Sequence, residues 1–186
     1  MADSKKVLEI IRAIGLKMEA EKEYLTELDQ PIGDSDHGIN MARGFAAVEG
    51  KLPDLEGKDI GTILKTVGMT LVSTVGGASG PLYGSAYMKA GMALAEKEEM
   101  DMDDFLSMLD AMVPSLKAMK DAAAEGKSVR EALEAGVRAA WAGAEHTKDL
   151  VATKGRASYV GERGLGHQDP GATSYSYMLE VIAGLV

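Results

Sequence analysis

The 186-residue chain contains no cysteine. That excludes disulfide frameworks, thiolate nucleophiles and cysteine-ligated zinc or iron–sulfur sites, and makes a reducing, cytoplasmic compartment the expected one. No stretch approaches the roughly 20 uninterrupted apolar residues of a membrane-spanning helix, because charged residues or glycines interrupt every apolar run. The opening MADSKKVLEI lacks the apolar core of a secretory signal. Basic residues are in deficit, with 20 Lys and Arg against 29 Asp and Glu, a net charge of −9. This opposes the counterion release that drives nucleic-acid binding, and the basic residues Lys148, Lys154, Arg156 and Arg163 are interleaved with Asp149 and Glu162. Strand signals are nearly absent too: only Ala157 to Val160 reads as extended.

What is present suits one globular unit. At 46% hydrophobic residues, a chain of this length can bury a core without covalent staples, and residues 1–186 are expected to form a single domain. Apolar residues recur at helical spacing. Val7, Ile10, Ile11, Ile14, Met18, Leu25 and Leu28 predict one long helix behind Asp3 or Ser4. Met41, Phe45, Val48 and Leu52 mark a second, and Ile60 to Val75 a third behind Asp59. A fourth opens near Pro81. A fifth, Phe105 to Met119, follows Asp103 and is interrupted by Pro114. Ser128 and Glu131 have capping-box spacing ahead of a helix reaching about Leu150, and Asp169-Pro170 opens the last. The fold class is therefore all-α, an antiparallel up-and-down bundle or barrel of about seven to eight helices.

Glycines crowd three segments that such a topology can bring to one end of the bundle. Since glycine costs about 1 kcal/mol inside a helix, these clusters are expected between helices. The first segment, Asp29 to Gly38, places Asp29, Asp34 and Asp36 within eight residues. It reads either as a polar turn with Asp34 or Asp36 as N-cap, or as a site for a hard cation such as Mg²⁺ or Ca²⁺ that relieves the repulsion of three carboxylates. An EF-hand is disfavoured by His37 and Phe45 at ligand positions. The second, Val75 to Gly84, is a helix–helix turn or a phosphate cradle built on free N–H groups at a helix start, and it lacks the lysine of a Walker loop. The third, Gly155 to Gly171, is an ordinary connection or a source of positive charge for a polyphosphate through Arg156 and Arg163.

Three runs together, PIGDSDHGINMARG (31–44), GGASGPLYGSA (76–86) and KGRASYVGERGLGHQDPGATS (154–174), resemble the ADP-binding L subunits of phosphoenolpyruvate-dependent dihydroxyacetone kinases. The resemblance covers nearly the whole chain and is to a free-standing subunit. It implies an α-helical barrel with a nucleotide, ADP or ATP, and two Mg²⁺ ions at one end. By position it makes Asp29, Asp34 and Asp36 the metal ligands. His37, Gly38, Ile39 and Asn40 would line the nucleotide, Ala78 and Ser79 its phosphates, and Arg156, Asp169, Pro170 and Gly171 would complete the pocket. The implied partners are a phosphohistidine donor subunit of a phosphotransferase system and a separate K subunit carrying dihydroxyacetone, and a homodimer is compatible with the family. No catalytic side-chain nucleophile is implied.

One part of the pattern is missing. The family places a lid segment, GKA followed by GDKTM, over the adenine, and here the chain runs from Asp101 to Phe105 straight into Ser107 to Pro114, which resembles what normally follows that lid. About one helix and the lid are absent. Loss of one helix from an up-and-down barrel reverses all that follows, so the Arg156 to Gly171 segment would reach the wrong end without compensation. Division of residues 103–124 at Pro114, a connection crossing the bundle, or an omitted stretch would each supply it. Alternatives to the phosphate relay are an ATP-exchanging kinase module for another small acceptor and a nucleotide-responsive regulator without turnover.

Overall fold

The computed structural model describes residues 2–101, 113–153 and 155–186. Eight α-helices are seen among them: α1 (Ser4–Ala20), α2 (Lys22–Asp29), α3 (His37–Glu49), α4 (Ile60–Thr74), α5 (Ser79–Ala93), α6 (Val113–Ala124), α7 (Val129–His146) and α8 (Pro170–Leu185). The only sheet among the described residues pairs β1 (Ala2–Asp3) with β2 (Glu99–Met100). The all-α expectation holds. No helix in this set is long and apolar enough to cross a membrane.

Local signals placed four of the eight helix starts. Asp3 Oδ1 accepts the Lys6 N–H at 2.8 Å, Asp59 Oδ1 the Thr62 N–H at 3.0 Å, and Asp169 Oδ2 the Ala172 N–H at 2.6 Å. Ser128 and Glu131 close a reciprocal capping box. Two readings are corrected. The long first helix is broken at Glu21, whose carboxylate is held by Lys17 Nζ at 2.8 Å and by Tyr177 Oη at 3.1 Å, a contact from a distant helix. Residues Ala157 to Val160, read as extended, instead lie in and just after a 3₁₀ turn, Arg156–Tyr159, in which Ser158 Oγ donates to Gly155 O at 2.7 Å. Helix α7 also stops at His146, short of Leu150. The fifth helix expected behind Asp103 falls outside the described residues up to Met112, and Pro114 lies in the first turn of α6 as described.

Helix neighbours run in the order α5, α4, α3, α1, α8, α7, α6. An apolar cavity on their common axis is lined by Ile10 and Ile14 of α1, Leu64 of α4, Tyr87 of α5, Leu133 of α7 and Met178 of α8. The direction of the chain after α5 is the one the three-loop arrangement needs. Met100 pairs with Ala2 at the end remote from the loops, while Met119 packs on Gly136 and sets α6 antiparallel to α7, which puts Val113 toward the His146 end. Nor does the long connection after α7 cross the bundle. The Asp169 N–H donates to Thr147 Oγ1 at 2.9 Å and the Gly166 N–H to Lys148 O at 2.8 Å, so the connection starts and finishes at the same end.

Not every glycine lies between helices. In α4, Gly61 and Gly68 are seven apart and face Gly91 and Gly84 of α5, also seven apart. A Cβ on Gly68 would stand 2.6 Å from Gly84 O, and one on Gly91 2.6 Å from Gly61 O. Two backbones this close pack only where side chains are absent, and their Cα–H groups then meet carbonyl oxygens across the seam. Gly68→Ala should therefore destabilise the fold by about 2 kcal/mol through overpacking, whereas Gly143→Ala on α7, where an added Cβ meets nothing within 4 Å, should stabilise it by up to about 1 kcal/mol. Urea unfolding of the two variants should shift in opposite directions, and shifts of the same sign would contradict the seam.

Candidate functional site

All three glycine-rich segments meet at one end of the bundle. Asp29, the last residue of α2, is buried, and its Oδ2 accepts the N–H groups of Asp36 at 2.9 Å and His37 at 3.2 Å. It therefore caps α3 from outside that helix. Asp36 occupies the N-cap position but its side chain makes no capping bond. The N-cap role expected of Asp34 or Asp36 is thus filled by Asp29 instead. Ser35 between them adopts φ of +61°, and one carboxylate oxygen from each of Asp29, Asp34 and Asp36 lies within 4.8 Å of the others. Three oxygen donors graded from buried to exposed fit a hard divalent cation. Arg156 Nη2 pairs with Asp34 Oδ2 at 2.9 Å, bringing the third segment onto the first.

The first turn of α3 supplies the next group. His37 is 7% exposed and joins two other segments, its Nδ1 lying 3.2 Å from Ser79 Oγ and its Nε2 3.0 Å from Ser174 Oγ. Burial pushes the imidazole pKa below its ordinary value, against the opposing pull of Asp169, Asp29 and Asp36. Gly38 lies against α2, where any side chain would strike Lys22 O. The Ile39 side chain is exposed. Asn40 is buried and accepts from Arg43 Nη2 at 2.5 Å, while Arg43 Nε donates to Thr74 O at 3.0 Å. Arg43 thus ties α3 to the end of α4, just before the second segment.

Ala78 and Ser79 begin α5, which has no side-chain cap, so its first-turn N–H groups and the positive end of its dipole remain for an anion. At α8, Asp169 caps, Pro170 is the first helical residue and Gly171 O accepts from Tyr83 Oη at 2.9 Å. Tyr83 Oη also lies 2.8 Å from Ser174 Oγ. Desolvation pushes the Tyr83 phenol pKa well above its usual value, so it stays protonated. His146 and His167 stand apart: His146 pairs with Asp149 at 3.3 Å on the surface and His167 is exposed. Arg163 donates only locally, to Val160 O at 3.4 Å. Sequence reading gave no role to Tyr83, Ser174, Arg43 or Thr147. The available signal was polarity out of place, since Thr173, Ser174 and Ser176 are fully buried in a helix whose other interior residues are apolar.

A family described as the DAK2 domain matches residues 31–109 and 106–184. The chain is 43% identical over 184 residues to the ADP-binding subunit DhaL of the PEP-dependent dihydroxyacetone kinase of Escherichia coli K12, covering 88% of each chain. It is 40% identical to the ADP-binding subunit DhaL of the PTS-dependent dihydroxyacetone kinase of Lactococcus lactis, covering 91% of each. The L-erythrulose 1-kinase of Mycolicibacterium smegmatis is 30% identical over 95% of this chain, which spans 34% of that longer protein. Among solved structures, the dihydroxyacetone kinase of C. freundii in complex with AMP-PNP and Mg²⁺ superposes with a TM-score of 0.71 at 22% identity, over 98% of this chain and 34% of that one. The E. coli alignment runs over 184 residues but uses 88% of a 186-residue chain, about 164 residues, so about 20 residues of that relative have no counterpart here. The two matched DAK2 stretches overlap at residues 106–109.

Burial of neutral His37 links stability to pH. Its folded pKa lies below the ordinary value of 6.5. Between the two values the unfolded chain binds a proton that the folded one refuses, so stability present at neutral pH is lost as pH falls below 6.5. Urea unfolding of the wild type should show a decline of up to about 1.4 kcal/mol per pH unit in that window. His37→Gln should flatten the slope, whatever its effect on absolute stability, and an unchanged slope in that variant would assign the proton elsewhere.

Proposed function

The chain belongs to the DAK2 domain family, and from that premise we propose that residues 1–186 act as a single nucleotide-binding domain, the ADP-binding subunit of a dihydroxyacetone kinase. The observation that carries this reading is the placement of three carboxylates and an uncapped helix start on the two sides of one buried histidine. Asp29, Asp34 and Asp36 would hold Mg²⁺, two ions in the fullest form of the proposal. Backbone groups of His37, Gly38, Ile39 and Asn40, with Ala78 and Ser79, would face the phosphates. Arg156, Asp169, Pro170 and Gly171 would close the pocket over the nucleotide.

Phosphoryl transfer asks a protein mainly for positioning and charge neutralisation. When bound, Mg²⁺ neutralises phosphate oxygens and ADP carries the phosphoryl group between a phosphohistidine donor and dihydroxyacetone. The chain's own residues divide the rest of the work. The α5 start offers N–H donors, the carboxylates fix the cations, and Arg156 brings a guanidinium to the same place. Arg156 and a cation would both compete for Asp34, and a polyphosphate offers Arg156 a second partner. The donor subunit and the K subunit with its dihydroxyacetone are the proposed partners, and a homodimer is the proposed form of this subunit.

A second reading has its own support. With about 20 residues of its E. coli relative lacking counterparts, the nucleotide has less chain to cover it, and free exchange of ADP for ATP in the manner of a self-contained kinase module becomes the alternative to a retained coenzyme. Mixing the ADP-loaded protein with labelled ATP separates them: exchange faster than turnover supports the kinase module, and retention supports the relay.

The proposal as a whole is tested by ligand-dependent stability. Mg²⁺ with ADP at a hundred times its dissociation constant should add about 2.7 kcal/mol, or about 5–11 °C in Tm. Asp34→Ala and Asp36→Ala should abolish the gain. Absence of any shift in the wild type, or an equal shift in both variants, would sink the assignment.

A further inference from the structure

Arg43 has no task in the function proposed above, yet it determines what one buried group of the pocket can offer. Asn40 stands at the end of the first turn of α3 and is 5% exposed. Its carboxamide lies with its face on the second segment: a Cβ on Gly76 would be 3.0 Å from both Nδ2 and Oδ1 and 3.1 Å from the carbon between them. Any side chain at Gly76 would crowd it. The oxygen and the –NH₂ of the amide therefore point to opposite sides along that face, and which is which matters to an anion.

Arg43 decides it. A guanidinium has five donors and no acceptor, so the atom that Nη2 meets at 2.5 Å is Oδ1. Arg43 Nε donates at the same time to Thr74 O at 3.0 Å, which keeps the guanidinium from following the amide if it turns. A turned amide would set its –NH₂ against Nη2, donor facing donor. Nδ2 is thus held away from Arg43, and among the described residues no acceptor is in place for its N–H groups. No fully enclosed side-chain nitrogen or oxygen among them lacks a partner, so this end of the amide opens outward, on the segment that leads into the uncapped start of α5.

We propose that Arg43 is a positioning residue for nucleotide binding: it holds the Asn40 carboxamide with its –NH₂ outward, so that Asn40 donates to a phosphate oxygen and shows it no lone pair. This rests on the nucleotide reading above and deepens it, because a residue outside the pocket sets the polarity of a group within it. Without Arg43 both orientations are open to the amide. Two equal orientations alone would weaken an anion about twofold. The turned amide has a further advantage, since Oδ1 can then accept from the N–H groups at the α5 start that are otherwise left for the anion, and the loss is larger.

The test is a double-mutant cycle on the full chain, read as affinity for ADP in the presence of Mg²⁺ by titration calorimetry. Arg43→Met, which keeps the apolar stem and removes every donor, should weaken binding about fivefold, and Asn40→Ala about tenfold. In the Asn40→Ala background, Arg43→Met should cost less than about twofold. Equal losses in the two backgrounds would leave Arg43 only its bond to Thr74 O and its charge, and would overturn the proposal. Asn40→Asp gives a second reading without opening a cavity: it keeps the shape and the bond to Arg43 and replaces the donor by an acceptor. It should melt no lower than Asn40→Ala yet bind ADP more weakly, and an affinity equal to or above that of Asn40→Ala would also overturn the proposal. A wild type that binds no ADP fails the nucleotide reading and this inference with it, whereas binding indifferent to both residues overturns this inference alone.

Discussion

Three helix N-termini, those of α3, α5 and α8, are brought to one place, and each carries the equivalent of about half a positive charge. Left alone, such ends repel. What holds them is His37, a buried imidazole that lies within hydrogen-bond distance of a serine at the start of each of the other two helices. Its neutrality is part of the arrangement, because a fourth positive group at this point would add to the repulsion. The carboxylates around it supply the opposing charge: Asp29 at the start of α3, Asp169 at the start of α8, and Asp34 and Asp36 beside them. The local acidity is thus a response to converging dipoles as well as a means of holding cations, and an anion bound between the helix starts would be met by both.

The second segment can sit so close to α3 because α4 and α5 approach without side chains between them. The paired glycines Gly61 with Gly91 and Gly68 with Gly84 draw the two helices together along their length, so the turn joining them, Val75 to Ala78, is short and carried tightly against Asn40 and Arg43. Arg43 then couples the end of α4 to α3. Precision at the site is therefore set some distance away, by backbone contact over about two helical turns. A bulkier seam would widen the α4–α5 pair and move Ser79 off His37.

How much of this could be read from residues alone depends on the range of the interaction. Caps at Asp3, Asp59, Ser128 and Asp169 were legible because each is decided within four residues. The break at Glu21 was not, since its cause includes Tyr177 on the far side of the sequence. Residues 157–160 look extended by composition, and only the local Ser158 bond to Gly155 O makes them a 3₁₀ turn. The glycine seam was present as a seven-residue repeat in both α4 and α5 but was masked by the expectation that glycines mark loops. At the site, Asp29 was legible as one of three acids, while its service to α3 was not, because a cap supplied from the preceding helix has no fixed spacing. Tyr83 and Ser174 lay inside recognised motifs and still had no visible partner, since their partners are 91 residues apart.

The shortened middle of the chain bears on this geometry unevenly. Among the described residues, the bonds that join the three segments, His37 to Ser79 and to Ser174, Tyr83 to Gly171, and Arg156 to Asp34, connect α2–α3, α5 and the stretch before and into α8 directly. Tyr83 is one such link, carried by α5, its hydroxyl reaching across to Gly171 O at the start of α8. The groups proposed to meet phosphate and cations are therefore tied to one another by bonds among the described residues. Under the proposed function, the residues of the E. coli relative that lack counterparts here would bear on how long a nucleotide stays more than on how its phosphates are met.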